Sequence, residues 1–436
     1  MEIVAKLAGL LQQTMASDTA LAGWRFNLYD SMGLEVGLKN NQIGGPYSAP
    51  SFKRSITGDI YLIWEGQRFT SAKLDAQAAE SFAENLNLWK ATAYYDADGV
   101  GLYNPGKIPE VILAQPKIEE IVAGDFAYPF QILNQGLKRL QESGLQKVDG
   151  KVRCYQEHRY FRNSKGLSFD YLQTPSDFFF EVNDSYGESF SEKRLPTEEE
   201  VDRVIQNTGT IGRHLMVPAE TKLSGPVQLF FPPDLFESFI SHYLITNLLG
   251  SLVVNRQSSF SLEDFQNNRR VLRDDLTLEV NTLLPLKSSS YPCTSEAVPG
   301  GSIQLIAGGR LQTPVLSLKY ARKAGLSPTP LPSGGRGFFI QSIQPLKPWD
   351  KILTNTEFAL IVYSVLGLHT QDSSSGKFSL TADQCLLLKN GTIAGKVKAV
   401  INGDFFGALT KDSSQLISVA GHDNPGFRFT ANAILA

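Results

Sequence analysis

A chain of 436 residues is too long for one ordinary hydrophobic core, so two or three domains are expected. Its net charge is −3, with 41 basic and 44 acidic residues intermixed, so it carries neither a nucleic-acid footprint nor an acidic tail. The composition, 42% hydrophobic and 19% charged, is that of a soluble globular protein, and no apolar run is long enough to span a bilayer.

The first segment, MEIVAKLAGLLQQTMAS, places Ile3, Leu7, Leu10 and Leu11 at helical spacing and is too polar for a secretory leader. A cytoplasmic location is expected. Trp24–Gly45 reads as paired strands, and Asp59–Leu74 as a hairpin turning at Glu65-Gly66. Asp75 is positioned to cap a following helix that runs towards Tyr95. A loop rich in Pro and Gly leads to a helix over Tyr128–Leu145, with Phe130, Leu133, Leu137 and Leu140 on one face. Strands follow over Lys151–Thr174 and Ser176–Asp184. Thr197 and Glu200 then form a capping-box pattern ahead of another helix. Pro226–Phe231 opens the C-terminal half as a strand, and a helix follows it. Beyond that helix, strand and turn signals dominate, with Asn-Gly at 390–391 and 402–403 and a composition-defined loop at Gly325–Gly337. Phe358–Leu368 reads as a core strand. The expected fold class is α+β: an N-terminal domain at 1–110, a middle α+β domain at 111–218 and a β-rich domain at 219–436.

The helix after Pro226–Phe231 holds the most informative pattern. Phe236, Phe239, Ile240, Tyr243, Leu244 and Leu248 form one apolar stripe, while Ser238, Ser241, His242 and Thr246 fall on a small polar side. Such a helix suits the wall of a site and equally suits packing against another domain. Hydrolytic zinc needs three protein ligands and an open position. The five histidines are His158, His214, His242, His369 and His422, and no single helix can supply a pair of them. Cys154, Cys293 and Cys385 form no C-x-x-C pair and fit a reducing compartment as small buried side chains. No G-x-G-x-x-G follows a strand, and no G-x-S-x-G elbow is present.

Several segments of the C-terminal half occur in an order that resembles the TldD/PmbA family, also called the modulator of DNA gyrase family. They are PVQLFF with its helix, RQSSF (Arg256–Phe260), RDDLTL (Arg273–Leu278), KYARKAGL (Lys319–Leu326), SGKFSLTADQCLLLKNGTI (Ser375–Ile393) and VKAVINGDFFGAL (Val397–Leu409). The resemblance implies a β-rich C-terminal domain of the family type. It also implies two kinds of subunit: a TldD type with zinc ligands H-E-x-x-x-H and a distant Cys, and a TldE/PmbA type without them. Ungapped counting back from the Ser-Ser-Phe segment sets Ser241, His242 and Thr246 at the three motif positions. Cys385, in an apolar strand pattern, is no counterpart of the cysteine ligand. The Pro-rich PTPLPSGG loop and Gly403-Asp404 depart from the family pattern.

The resemblance therefore implies a non-catalytic TldE/PmbA-like subunit of a peptidase acting on peptides or unfolded segments. No catalytic or metal residues are assigned to this chain, and zinc is expected in a TldD-type partner. Peptide contacts are expected from Ser241, His242, Thr246, Thr329 and Ser379. A homodimeric peptide-binding or scaffold protein without activity is the alternative. Neither nucleic acid nor membrane is an expected partner.

Overall fold

In the computed structural model, which describes residues 2–104, 106–331 and 337–435, the chain has an α+β fold with a β-rich C-terminal part. Residues 332–336 of the expected loop at Gly325–Gly337 lie outside the described residues. No described helix is long and apolar enough to cross a membrane.

The N-terminal half is built on an antiparallel sheet of nine strands. The long strand Leu21–Lys39 pairs with Ser51–Trp64 on one side and Val148–Asn163 on the other. The second pairing runs from Arg25 opposite Asn163 to Leu38 opposite Gly150, so segments on both sides of position 110 share one sheet. The Glu65-Gly66 turn forms as expected, with Gly66 at φ 71°, a conformation open to glycine at no steric cost.

One face of Leu21–Lys39 feeds two separate cores. Trp24, Phe26 and Leu28 pack with Val4, Leu7 and Leu11 of the helix Glu2–Ser17, and with Trp89. Further along, Leu34, Val36 and Leu38 pack with helices Pro116–Val122, Ala127–Glu142 and Glu198–Met216. The last of these starts with the expected capping box, in which the Thr197 side chain accepts from the Glu200 N–H.

Three local expectations change. The helix near Asp75 begins only at Phe82; the Asp75 carboxylate instead accepts from the Gln77 N–H at 2.9 Å and holds a turn. The buried face of Ala127–Glu142 is Ile132, Leu133, Gly136 and Leu140, with Phe130 and Leu137 only partly buried. Gly136 explains the rotation: a Cβ there would sit 2.0 Å from the Phe180 ring, so the missing side chain lets the helix settle on Phe180. Asn390-Gly391 turns a hairpin, but Asn402-Gly403 lies within the strand Thr392–Asp404. Gly403 stands opposite Phe378, whose ring occupies the space a side chain would need.

In the C-terminal half, strands Leu223–Phe231, Phe358–Leu366, Lys377–Lys389, Thr392–Asp404 and Gly426–Leu435 form a closed circuit, because the first also pairs with the last. Closure removes the free edges of these strands. Val227, Leu229 and Phe231 face the main core, and the alternate Phe230 faces a second cluster with Tyr186 and Leu215 of the N-terminal half. The segment Pro233–Leu248 packs into the main core through the whole predicted stripe, Phe236 to Leu248, every member buried. Phe236 stacks on Phe427 with centroids 4.7 Å apart, and Phe239 meets Phe231, Phe378 and Phe405 at 4.8, 5.5 and 5.3 Å. A four-stranded sheet, including Leu276–Asn281 and Phe338–Ser342, completes that core.

Candidate functional site

The polar side of Pro233–Leu248 forms one wall of a cleft of about 500 Å³. Ser238, Ser241, His242 and Thr246 line it, as do Asp234 and Glu237 one turn earlier. The opposite wall is the end of Phe358–Leu366 and the turn after it, including Leu368 and His369. The helix is not regular here. Ile240–Ile245 takes π-helical geometry, and the Thr246 hydroxyl donates to the Ser241 carbonyl at 3.0 Å. A π-bulge widens a helix by one residue and recurs at functional positions.

His242 is half-buried, its Nε2 at 3.2 Å from the Gln371 carbonyl and its ring edge-on to Tyr243. A carbonyl can only accept, so Nε2 carries the proton and Nδ1 keeps the lone pair. Burial lowers the imidazole pKa and His369 lowers it further, while the bond to Gln371 opposes them. The ring is therefore neutral at pH 7. The Gln371 side chain accepts from the Ser379 N–H at 3.1 Å, which sets exposed Ser379 next to the segment that holds His242.

The Ser-Ser-Phe segment explains how this turn is held. Buried Asn247, at the end of the helix, donates to the Ser373 carbonyl at 2.9 Å and accepts from the Ser259 N–H at 2.8 Å. Ser258 donates to the Asn247 carbonyl at 2.6 Å, and the Ser259 hydroxyl reaches the Ser374 carbonyl. These bonds tie the helix end, the Ser258–Phe260 segment and the 371–374 turn into one unit. The Asp-Asp segment is a similar anchor, with Arg273 forked onto Asp275 at 2.9 Å on both arms. In the GDFF segment, Asp404 caps a short helix by accepting from the Gly407 N–H at 2.9 Å.

Sequence-predicted residues thus divide. Ser241, His242 and Thr246 share the cleft. Ser379 lies beside it through Gln371. Thr329 is buried elsewhere: its hydroxyl accepts from the Leu316 N–H at 2.9 Å, and its own N–H returns to the Leu316 carbonyl. Asp234, Glu237 and His369 were not anticipated. The two carboxylates continue the polar face at three- and four-residue steps before Ser238 and Ser241, so extending the helical pattern backwards would have found them. Nothing in sequence separation links His369 to the helix.

The cleft offers hydroxyls, a neutral imidazole and two carboxylates, a set suited to hydrogen-bonding an extended chain. Among the described residues no serine or threonine hydroxyl bonds a histidine ring, and no three His, Cys, Asp or Glu side chains converge as a metal site. At the three motif positions, Ser241, His242 and Thr246 offer two hydroxyls and one carbonyl-bound histidine, a set that does not fit zinc, which is held by sulfur, imidazole or carboxylate. Cys385 is buried in the main core, and burial pushes its thiol up to about 12, far from the thiolate a metal needs.

A closed strand circuit around an apolar helix, with a polar cleft on that helix's other side, defines a class of domain. Residues 224–417 match the family model described as the PmbA/TldA metallopeptidase C-terminal domain. That match covers the C-terminal part of the chain, which is a domain of the PmbA/TldD type. The whole chain also has the fold of solved relatives. TldE from Thermococcus kodakarensis superposes with a TM-score of 0.79 at 17% identity, covering 99% of each chain. A Bacteroides thetaiotaomicron protein carrying the modulator of DNA gyrase name gives 0.77 at 15% identity, again over 99% of each chain. One of the same name from Thermotoga maritima gives 0.75 at 16% identity, over 98% of this chain and 99% of that one. A comparison with curated proteins gave no match.

Proposed function

We propose that this chain is a non-catalytic, TldE-like subunit of a TldD/TldE-type metallopeptidase of the cytoplasm. It shapes the cleft that holds a peptide or unfolded segment, and a TldD-type partner supplies the zinc. The observation that carries this reading is the chemistry of the helix wall. Where the family resemblance sets metal ligands, Ser241, His242 and Thr246 present two hydroxyls and one carbonyl-bound imidazole to a cleft. Such groups recognise backbone N–H and C=O groups and leave hydrolysis to another chain. The test is to purify the chain alone and with a paralogue bearing H-E-x-x-x-H, then measure zinc and peptide cleavage in each sample. The expected result is zinc and cleavage only with the paralogue. Chelator-sensitive cleavage by this chain alone would overturn the assignment.

The second reading, a homodimeric binding or scaffold protein, draws support from the barrel's outer wall. Leu366, Val400 and Ile434 are exposed there, at 57, 41 and 52%, in one cross-strand row through Thr381. An uncharged row of this kind suits contact with a second copy. Light scattering with and without the paralogue separates the two readings.

A further inference from the structure

The helices cover one face of Leu21–Lys39, and residues 288–296 of the C-terminal half reach the other. Asn27 donates to the Ser295 carbonyl at 2.8 Å, and Arg25 reaches Glu296 at 3.3 Å. Buried Lys193 gives all three ammonium protons to the carbonyls of Lys287, Ser288 and Ser290, at 3.1, 2.6 and 2.7 Å. Between sheet and segment remains a cavity of about 350 Å³, walled by Tyr29, Arg159, Gln173, Glu192, Ser290 and Thr294 among others. It is separate from the His242 cleft and shares no lining residue with it.

This seam holds buried donors that have no acceptor. Arg25 is 9% exposed, yet its Nε and Nη1 have no partner; Ser290 is 1% exposed, and its hydroxyl on the cavity wall has none. A buried donor left unsatisfied is costly and rare, so the Ser290 hydroxyl on the cavity wall marks a missing acceptor. Arg159 is ready to meet one. Its guanidinium is fixed by Glu157 at 2.8 Å and lies over the Tyr29 ring at 4.7 Å, while 30% of the side chain stays open. A planar, pre-oriented guanidinium matches a carboxylate. Lys193 adds positive field with no free donor, too little for a multiply charged phosphate. Glu192 stands on the same wall, held by Lys287 at 3.1 Å and the Ser288 N–H at 2.6 Å. A wall with two cations, of which only Arg159 has donors to spare, and one carboxylate complements a zwitterion.

We propose that this cavity binds a free α-amino acid or dipeptide, its carboxylate on Arg159 and the Ser290 hydroxyl and its ammonium towards Glu192. The proposal does not depend on the peptidase-subunit reading. Calorimetric titration of the full chain with glycylglycine, glycinamide, acetate and inorganic phosphate tests it. Glycylglycine is expected to bind, with glycinamide and phosphate silent and acetate weak. Ser290→Ala is expected to weaken glycylglycine roughly tenfold, the loss of one hydrogen bond to a charged group. Arg159→Gln is expected to abolish binding, with a melting curve checking that the variant is folded and Arg159→Lys separating charge from fork geometry. No heat with glycylglycine at millimolar concentration, or binding indifferent to both Ser290→Ala and Arg159→Lys, would overturn the proposal. So would binding that His242→Ala removes and Ser290→Ala leaves intact, which would put the ligand in the other cleft.

Discussion

The two halves of the molecule bury their aromatic side chains in different ways. In the C-terminal half, closure of the strand circuit gathers Phe231, Phe236, Phe239, Phe378, Phe405, Phe427 and Phe429 into one continuous core. In the N-terminal half, a single strand serves two cores, one around Trp24, Phe26 and Leu28 and one around Leu34, Val36 and Leu38, each with its own helices. A shared core transmits damage everywhere, whereas a divided one confines it.

The largest effect should come from breaking the shared core. Phe239→Ala removes a fully buried ring with four aromatic neighbours, and we expect a loss of about 3–5 kcal/mol in urea unfolding. Amide exchange should rise throughout the barrel strands. Phe26→Ala should cost a comparable amount, but its exchange should rise mainly around Glu2–Ser17 and the first part of Leu21–Lys39. Equal loosening of Glu198–Met216 would show that the two N-terminal cores act as one.

Next in size is a charge at the seam between the halves. Glu188 lies near Tyr186, whose ring meets Tyr363 edge-on at 5.3 Å. Burial pushes the Glu188 carboxyl up to about 7, and Asp234 adds to the rise against the Tyr186 hydrogen bond and Arg203. The folded state therefore holds this proton more tightly than the unfolded chain. The contribution is fully present below the ordinary carboxylate range and is lost as pH rises to about 7. Glu188→Gln should be nearly neutral at pH 4 and stabilising by about 1–3 kcal/mol at pH 8. An equal change at both pH values would remove Glu188 from the seam's pH dependence.

A smaller effect tests the helix that covers the second N-terminal core. Thr197→Ala deletes the acceptor for the Glu200 N–H and should cost about 1 kcal/mol, with fraying confined to the first turn. Glu200 itself is held down to about 2, first by its bond to Arg194. Its contribution is present above the ordinary Glu range and disappears as pH falls towards 2.

These contrasts also explain what was legible in the sequence. The apolar stripe Phe236–Leu248 and the capping box at Thr197 depend on spacing within one element, and both form. The Glu65-Gly66 turn likewise needs only neighbours along the chain. Asn402-Gly403 carries the same local signal as Asn390-Gly391, yet cross-strand pairing with Ser379 and Phe378 keeps it in a strand. The π-helical turn depends on tertiary packing and leaves no periodicity to read. Half of the cleft is likewise invisible: His369 and Gln371 reach His242 only because Ser258, Ser259 and Asn247 fasten the 371–374 turn to the helix end. Thr329 shows the opposite limit. A polar residue in a Pro-rich loop looks available, but here its hydroxyl is spent on the Leu316 N–H inside the protein.

The smallest effect on stability should come from the barrel's outer wall, where it carries the most information about partners. Val400 stands between Thr381 and Ile434 in the exposed row, and its side chain adds little to the core. Val400→Lys should leave monomer stability within about 0.5 kcal/mol, as surface substitutions usually do. A charge placed in the middle of an apolar contact is costly to desolvate, so association through this wall should be strongly weakened. Light scattering then gives a clear division. Loss of a dimer formed by the chain alone would assign the wall to self-association. Loss of only the complex with the H-E-x-x-x-H paralogue would assign it to that partner. Neither change, with stability intact, would show that the closed barrel leaves this row exposed without using it for association.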